Sequence, residues 1–158
     1  MAKIEFTGIV KYTKKLETIG KSSQALCKRA LYDGAGVLAN TVREEIEALQ
    51  TTDVNEDPQG ILEYERDGLL EGLGIADMNE KDLRITTSID FDGYNRLRSI
   101  SYPNGHPNSM IARAINSGTS KRKKNPFMAR AVRKAREKAQ QAMRSRLDAD
   151  INEIMNKE

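Results

Sequence analysis

Apolar residues recur at helical spacing through the end of the chain: Val132, Ala135, Ala139, Ala142, Met143, Leu147, Ile151, Ile154 and Met155. The spacing predicts one helix over about 126–156. Pro126 opens it at a position where a missing N–H costs nothing. At 1.5 Å per residue such a helix runs roughly 40 Å. That is longer than a 158-residue domain can cover, so its outer half wants a partner.

The rest of the composition agrees with incomplete burial. Apolar residues make up 38%, aromatics 5%, and Trp is absent, so the core must be built from Leu, Ile, Val, Ala and Met. Charged residues reach 31%, against about 25% in an ordinary globular domain. The length fits a single domain, residues 1–158. Met1 to Glu5 lacks the apolar region of a secretion signal, and no run approaches a membrane span of about 18 apolar residues. Cys27 has no partner for an internal disulfide. These readings point to a chain made in a reducing cytoplasm, with no membrane partner.

Ile4, Phe6 and Gly8 alternate as in a short first strand, and Thr7 caps a short helix carrying Ile9, Tyr12, Leu16 and Ile19. Gly20 ends that helix and Ser22 or Ser23 caps the next. The second helix has the clearest stripe: Leu26, Ala30, Leu31, Val37, Leu38, Thr41, Val42, Ile46 and Leu49. Gly34 and Gly36 lie inside it at about 1 kcal/mol each, which implies either a close backbone or a kink. A polar loop follows over about 51–67, and Leu69, Leu70, Leu73 and Ile75 form a short apolar turn or helix. Strict alternation from Leu83 to Phe91 predicts a half-buried strand, Asp92-Gly93 a turn, and 97–102 a returning strand. Asn108 or Ser109 caps a third helix ending at Gly118, and 119–125 is a basic loop. The fold class is therefore α+β: a small antiparallel sheet packed with two long and two short helices, the C-terminal one long.

No catalytic constellation emerges, and neither a metal nor a cofactor is expected. His106 is the single histidine, in a Gly-His-Pro loop, and with one Cys it cannot complete a zinc site. Cys27 sits beside the apolar stripe, where a small buried residue is the ordinary occupant. Glu44, Glu45 and Glu47 read as a solvated helix face. Asp53, Asn55 and Asp57 resemble the start of a calcium loop, but Pro58 stands where glycine is required. Gly72-Leu73-Gly74 lacks the continuation of a nucleotide loop. The chain is not expected to be an enzyme.

Charge is the remaining signal. Eleven of the 26 residues over 121–146 are Lys or Arg and Glu137 alone is acidic, a net +10 in a chain of net +3. Lys121, Arg122, Lys123 and Lys124 lie in the loop, and Arg130, Arg133 and Lys134 on the helix after it. One reading is a phosphate grip, hence a basic nucleic-acid-binding module. Another is contact with an acidic protein surface, and a third is plain solvation with salt bridges. Phe127 is the one ring in the run, so base stacking is unsupported.

Several words of the chain resemble one family. Phe6-Thr7-Gly8-Ile9 with Lys14-Lys15-Leu16-Glu17, then Gly72-Leu73-Gly74-Ile75 and Ile89-Asp90-Phe91-Asp92-Gly93-Tyr94, are similar to the tailed-phage neck and minor-tail (tail-completion) family of siphophages and prophages. The strongest likeness is Ile111 to Ser120 followed by Asn125-Pro126-Phe127-Met128. There the family has a helix ending in a Gly-Thr-Ser turn, a basic loop, and Pro-Phe opening a long helix. Gly118, Pro126 and Phe127 are the matching structural positions. The resemblance implies a virion assembly protein of the head–tail junction, forming a ring of its own copies around the DNA path. The implied neighbours are head-closure (stopper), tail-terminator or tail-tube proteins, with non-specific proximity to DNA.

Overall fold

A computed structural model describes residues 9–53, 55–82 and 84–157. The strand expected from Ile4 to Gly8 and the Thr7 cap expected for the helix after it lie outside them. The fold is α+β, with four helices and a small antiparallel strand set among the described residues.

Helix α1 spans Ile9–Glu47, 39 residues and about 58 Å. It replaces the two helices expected on either side of Gly20. Gly20 keeps a negative φ, and Ser22 and Ser23 do not cap anything. Their hydroxyls instead donate back to the carbonyls of Thr18 (2.6 Å) and Gly20 (2.9 Å), as serine does in a helix interior. The chain then turns through 48–62. Helix α2 (Glu63–Gly72) begins inside the polar loop expected over 51–67. Its start is secured when Glu65, in the first turn, accepts the Leu62 N–H at 3.0 Å.

Strands β1 (Leu73–Ile75), β2 (Asn79–Lys81), β3 (Arg84–Thr86) and β4 (Ile89–Phe91) form one bent hairpin in two pieces. β1 pairs antiparallel with β4, Leu73 opposite Phe91, and β2 with β3, Asn79 opposite Thr86. The single strand expected over 83–91 is thus broken at Thr87-Ser88. There Thr87 Oγ1 donates to the Ala76 carbonyl at 2.6 Å, and one strand carries more residues than the other. No returning strand forms over 97–102. Buried Asn95 staples the loop instead, its Oδ1 accepting the N–H groups of Leu97 (3.0 Å) and His106 (3.3 Å). Gly105 (φ +106) has no room for a side chain, since a Cβ there would meet the Asn95 carbonyl oxygen.

Helix α3 (Asn108–Ser117) ends at Gly118 as expected, and α4 (Phe127–Asn156) runs 30 residues, about 45 Å. Asn108 does not cap α3. It is the first helical residue, and its Nδ2 donates to the Asp92 carbonyl at 2.7 Å. Helices α1 and α4 pack antiparallel along most of their length. The core lies at one end of this pair. Val42 and Ile46 of α1, with Leu49 just beyond its end, meet Phe127 and Ala131 of α4 over Leu69, Phe91, Ile111 and Ile115. Phe91 and Phe127 meet edge to face at 6.3 Å. Away from that core the pair is a two-helix arm, tied by Lys15 Nζ to the Met155 carbonyl (2.6 Å) and Arg29 Nε to Asp150 (2.9 Å).

Candidate functional site

The basic loop leaves α3 at Gly118, whose φ of +74 and ψ of 169 suit glycine and strain any other residue. Thr119 and Arg122 exchange backbone hydrogen bonds at 3.0 and 3.3 Å, and the Asn125 N–H reaches back to the Ile115 carbonyl at 2.9 Å. Pro126 stands just before α4, and Phe127 is fully buried. The loop is therefore clamped at both ends. Its side chains leave in two directions.

Arg122 turns inward. Its Nη2 donates to both carboxylate oxygens of Glu65 at 2.9 Å, and Glu65 is only 5% exposed. A carboxylate so far from water needs such a partner. On α4, Arg130 Nε donates to Glu45 at 2.7 Å and to Asn125 through Nη2 at 2.9 Å, while Lys134 also contacts Glu45. Glu45 is 4% exposed, which corrects its expected place on a solvated face; Glu44 and Glu47 are exposed. Hydrogen bonds from Lys134, then Arg130, outweigh the cost of burial and hold the Glu45 carboxyl below its ordinary range.

Of the seven basic residues singled out in the sequence, Arg122, Arg130 and Lys134 thus pair with buried carboxylates, Lys134 from an exposed position. Lys121, Lys123, Lys124 and Arg133 are exposed and form no ion pair among the described residues. Sequence reasoning missed Glu65 and Glu45. A Glu in the first turn of a helix was the available signal for Glu65. Nothing local marks Glu45, whose partners lie 85 and 89 residues away.

The other sequence candidates are scattered. Cys27 is exposed, not buried, because it faces away from α4 into a cleft with Glu80 and Arg84. His106 rests on Tyr102, ring centres 4.7 Å apart, and borders a different cleft with Glu65 and Arg122. Asp53 accepts the Asn55 N–H at 2.8 Å and Asp57 that of Gln59 at 3.0 Å, so both carboxylates shape their own turns. Among the described residues no group of His, Cys, Asp and Glu side chains is placed to hold a metal ion, and no helix is long and apolar enough to cross a membrane. An apolar groove of about 240 Å³ runs between α1 and α4, lined by Gly34, Leu38, Ile89, Ala135, Ala139 and Met143 among others.

No protein-family model, curated protein or solved structure matches this chain.

Proposed function

We propose that this chain is a structural component of a tailed-virus neck or tail-completion layer, a subunit of a ring around the DNA path. The observation that carries the reading is the two-helix arm. Val10, Tyr12, Leu16, Tyr32 and Val132 stand exposed along α1 and α4, and two helices cannot cover their own apolar faces. Neighbouring subunits supply that cover. The resemblance of several stretches of the sequence to the neck family is the second support for the reading. The helix ending at Gly118, the basic loop and Phe127 are the features on which that resemblance rests. In such a ring the neighbours along the axis are head-closure, tail-terminator or tail-tube proteins.

A nucleic-acid module has less support. Arg122, Arg130 and Lys134 are engaged with buried carboxylates, and the ring of Phe127 is not available for stacking. A conduit also has to let DNA slide without gripping it.

Deleting the gene from the phage or prophage that carries it tests the proposal. DNA-filled heads and unattached tails, joined again when the gene is resupplied, are the expected outcome. Intact infectious particles from the deletion strain contradict it.

A further inference from the structure

The two most highly charged stretches of the chain have opposite signs and barely neutralise each other. Residues 51–72 carry seven acidic side chains and one arginine, against the net +10 of 121–146. Arg122 with Glu65 is the one ion pair between these stretches among the described residues. Arg66 meets Glu63 (3.7 Å) and Asp67 (3.4 Å) on the same helix, and Arg96 borders the cleft beside them. Asp53, Glu56, Asp57 and Glu71 have no cationic partner among the described residues, nor do Lys121, Lys123 and Lys124 an anionic one.

Lys121 borders one cleft with Pro58 and Glu65, but most of the acidic surplus is turned away from the basic loop. Glu65 faces the basic loop. At 100° per residue, Glu63, Asp67 and Glu71 lie about 120–160° around α2 from it. They line one cleft, and Asp53 and Glu56 join Glu63 along the next, so the carboxylates make a continuous exposed strip. Asn95 also lines the first cleft. It is 5% exposed, its Oδ1 is engaged, and its Nδ2 has no acceptor among the described residues. A strip of carboxylates short of cationic partners suits a lysine-bearing segment, whose ammonium groups meet the acids.

We infer that the acidic strip from Asp53 to Glu71 receives the Lys121–Lys123–Lys124 loop of a second copy of this chain. The loop is rigid, exposed and of matching charge. Because donor and acceptor surfaces lie on different sides of α2, the contact is head to tail and repeats from copy to copy, closing into a ring or running on as a filament. This deepens the ring reading and rests on it for its biological setting. A head-to-tail assembly of a chain absent from virions would leave the contact standing while the neck reading fell.

Charge exchange tests the contact, read as mass by sedimentation of the full chain over a range of concentration and salt. The wild type should associate, and less so as salt rises. A variant with Lys121, Lys123 and Lys124 changed to Glu, and another with Glu56, Glu63 and Glu71 changed to Lys, should each associate about ten-fold or more weakly. Mixed one to one, the two should co-assemble, and a chain bearing all six changes should associate with itself again. Should a reversed variant melt early, the corresponding Gln substitutions decide in the same way by weakened association. A wild type that stays monomeric, reversed variants that associate normally, or six changes that fail to restore association would each overturn the inference.

Discussion

Gly34 of α1 faces Met143 of α4 so closely that a Cβ on Gly34 would come within 2.6 Å of the Met143 Cγ. The close backbone expected at Gly34 is instead a methionine side chain, with the Ala139 carbonyl behind it at 3.4 Å, and at Gly36 the expectation fails, since a Cβ there would meet nothing within 4 Å. Gly34→Val should destabilise the chain by about 1–3 kcal/mol through overpacking. Adding Met143→Ala should recover part of that loss, a coupling of about 0.5 kcal/mol or more in urea denaturation. Additive effects would mean that the two residues do not meet.

Buried Glu45 makes stability depend on acid. Its folded pKa is lowered, chiefly by Lys134 and then Arg130, so its contribution is complete above the ordinary value of 4.5 and is lost as pH falls through the lower folded value. Glu45→Gln should cost about 1–2 kcal/mol at neutral pH, with a difference from wild type that shrinks on acidification. Thermal melts across that range measure it. A difference independent of pH would show that the carboxylate charge is not what Arg130 and Lys134 hold.

The basic loop divides into one structural and three surface cations. Arg122→Ala leaves Glu65 buried without its guanidinium and should cost about 3–5 kcal/mol. Changing Lys121, Lys123 and Lys124 together to Ala should stay within about 0.5 kcal/mol per site. Denaturation of the two variants compares them directly, and equal losses would refute the division. A variant neutralised at all four positions would confound folding with assembly, contrary to what the loop's composition implies.

Ala135 is 1% exposed under α1, whereas Ala139 is half-buried at the groove. Ala135→Glu should cost about 3 kcal/mol or more by burying an unpaired charge. Ala139→Glu should cost less in the isolated chain and show its main effect on particle yield. Equal stability losses would place both alanines in the same environment.

What was legible in the sequence was periodicity. The stripes of α1 beyond Leu26 and of α4, the end of α3 at Gly118 and the α+β class all follow from spacing and local chemistry. The failures share a cause. Gly20, Ser22 and Ser23 carry stop and cap signals that count only if the chain leaves the helix, and α4 packing along the arm keeps it helical. Alternation over 83–91 signals extended chain but says nothing of the offset at Thr87 that splits the hairpin. Charge counting found the basic run, yet it could not tell Arg122 from Lys121 or Lys123. That distinction depends on Glu65, 57 residues away, and becomes visible only once α2 and the loop are packed together.

Location within a particle is the most direct measurement of the central claim. A small tag after Lys157, close to the arm's far end, is labelled with gold on intact particles and viewed by electron microscopy. The account predicts gold confined to the junction between head and tail, several labels to a particle. Gold on the capsid shell or along the tail tube, or no gold on purified particles at all, would contradict it.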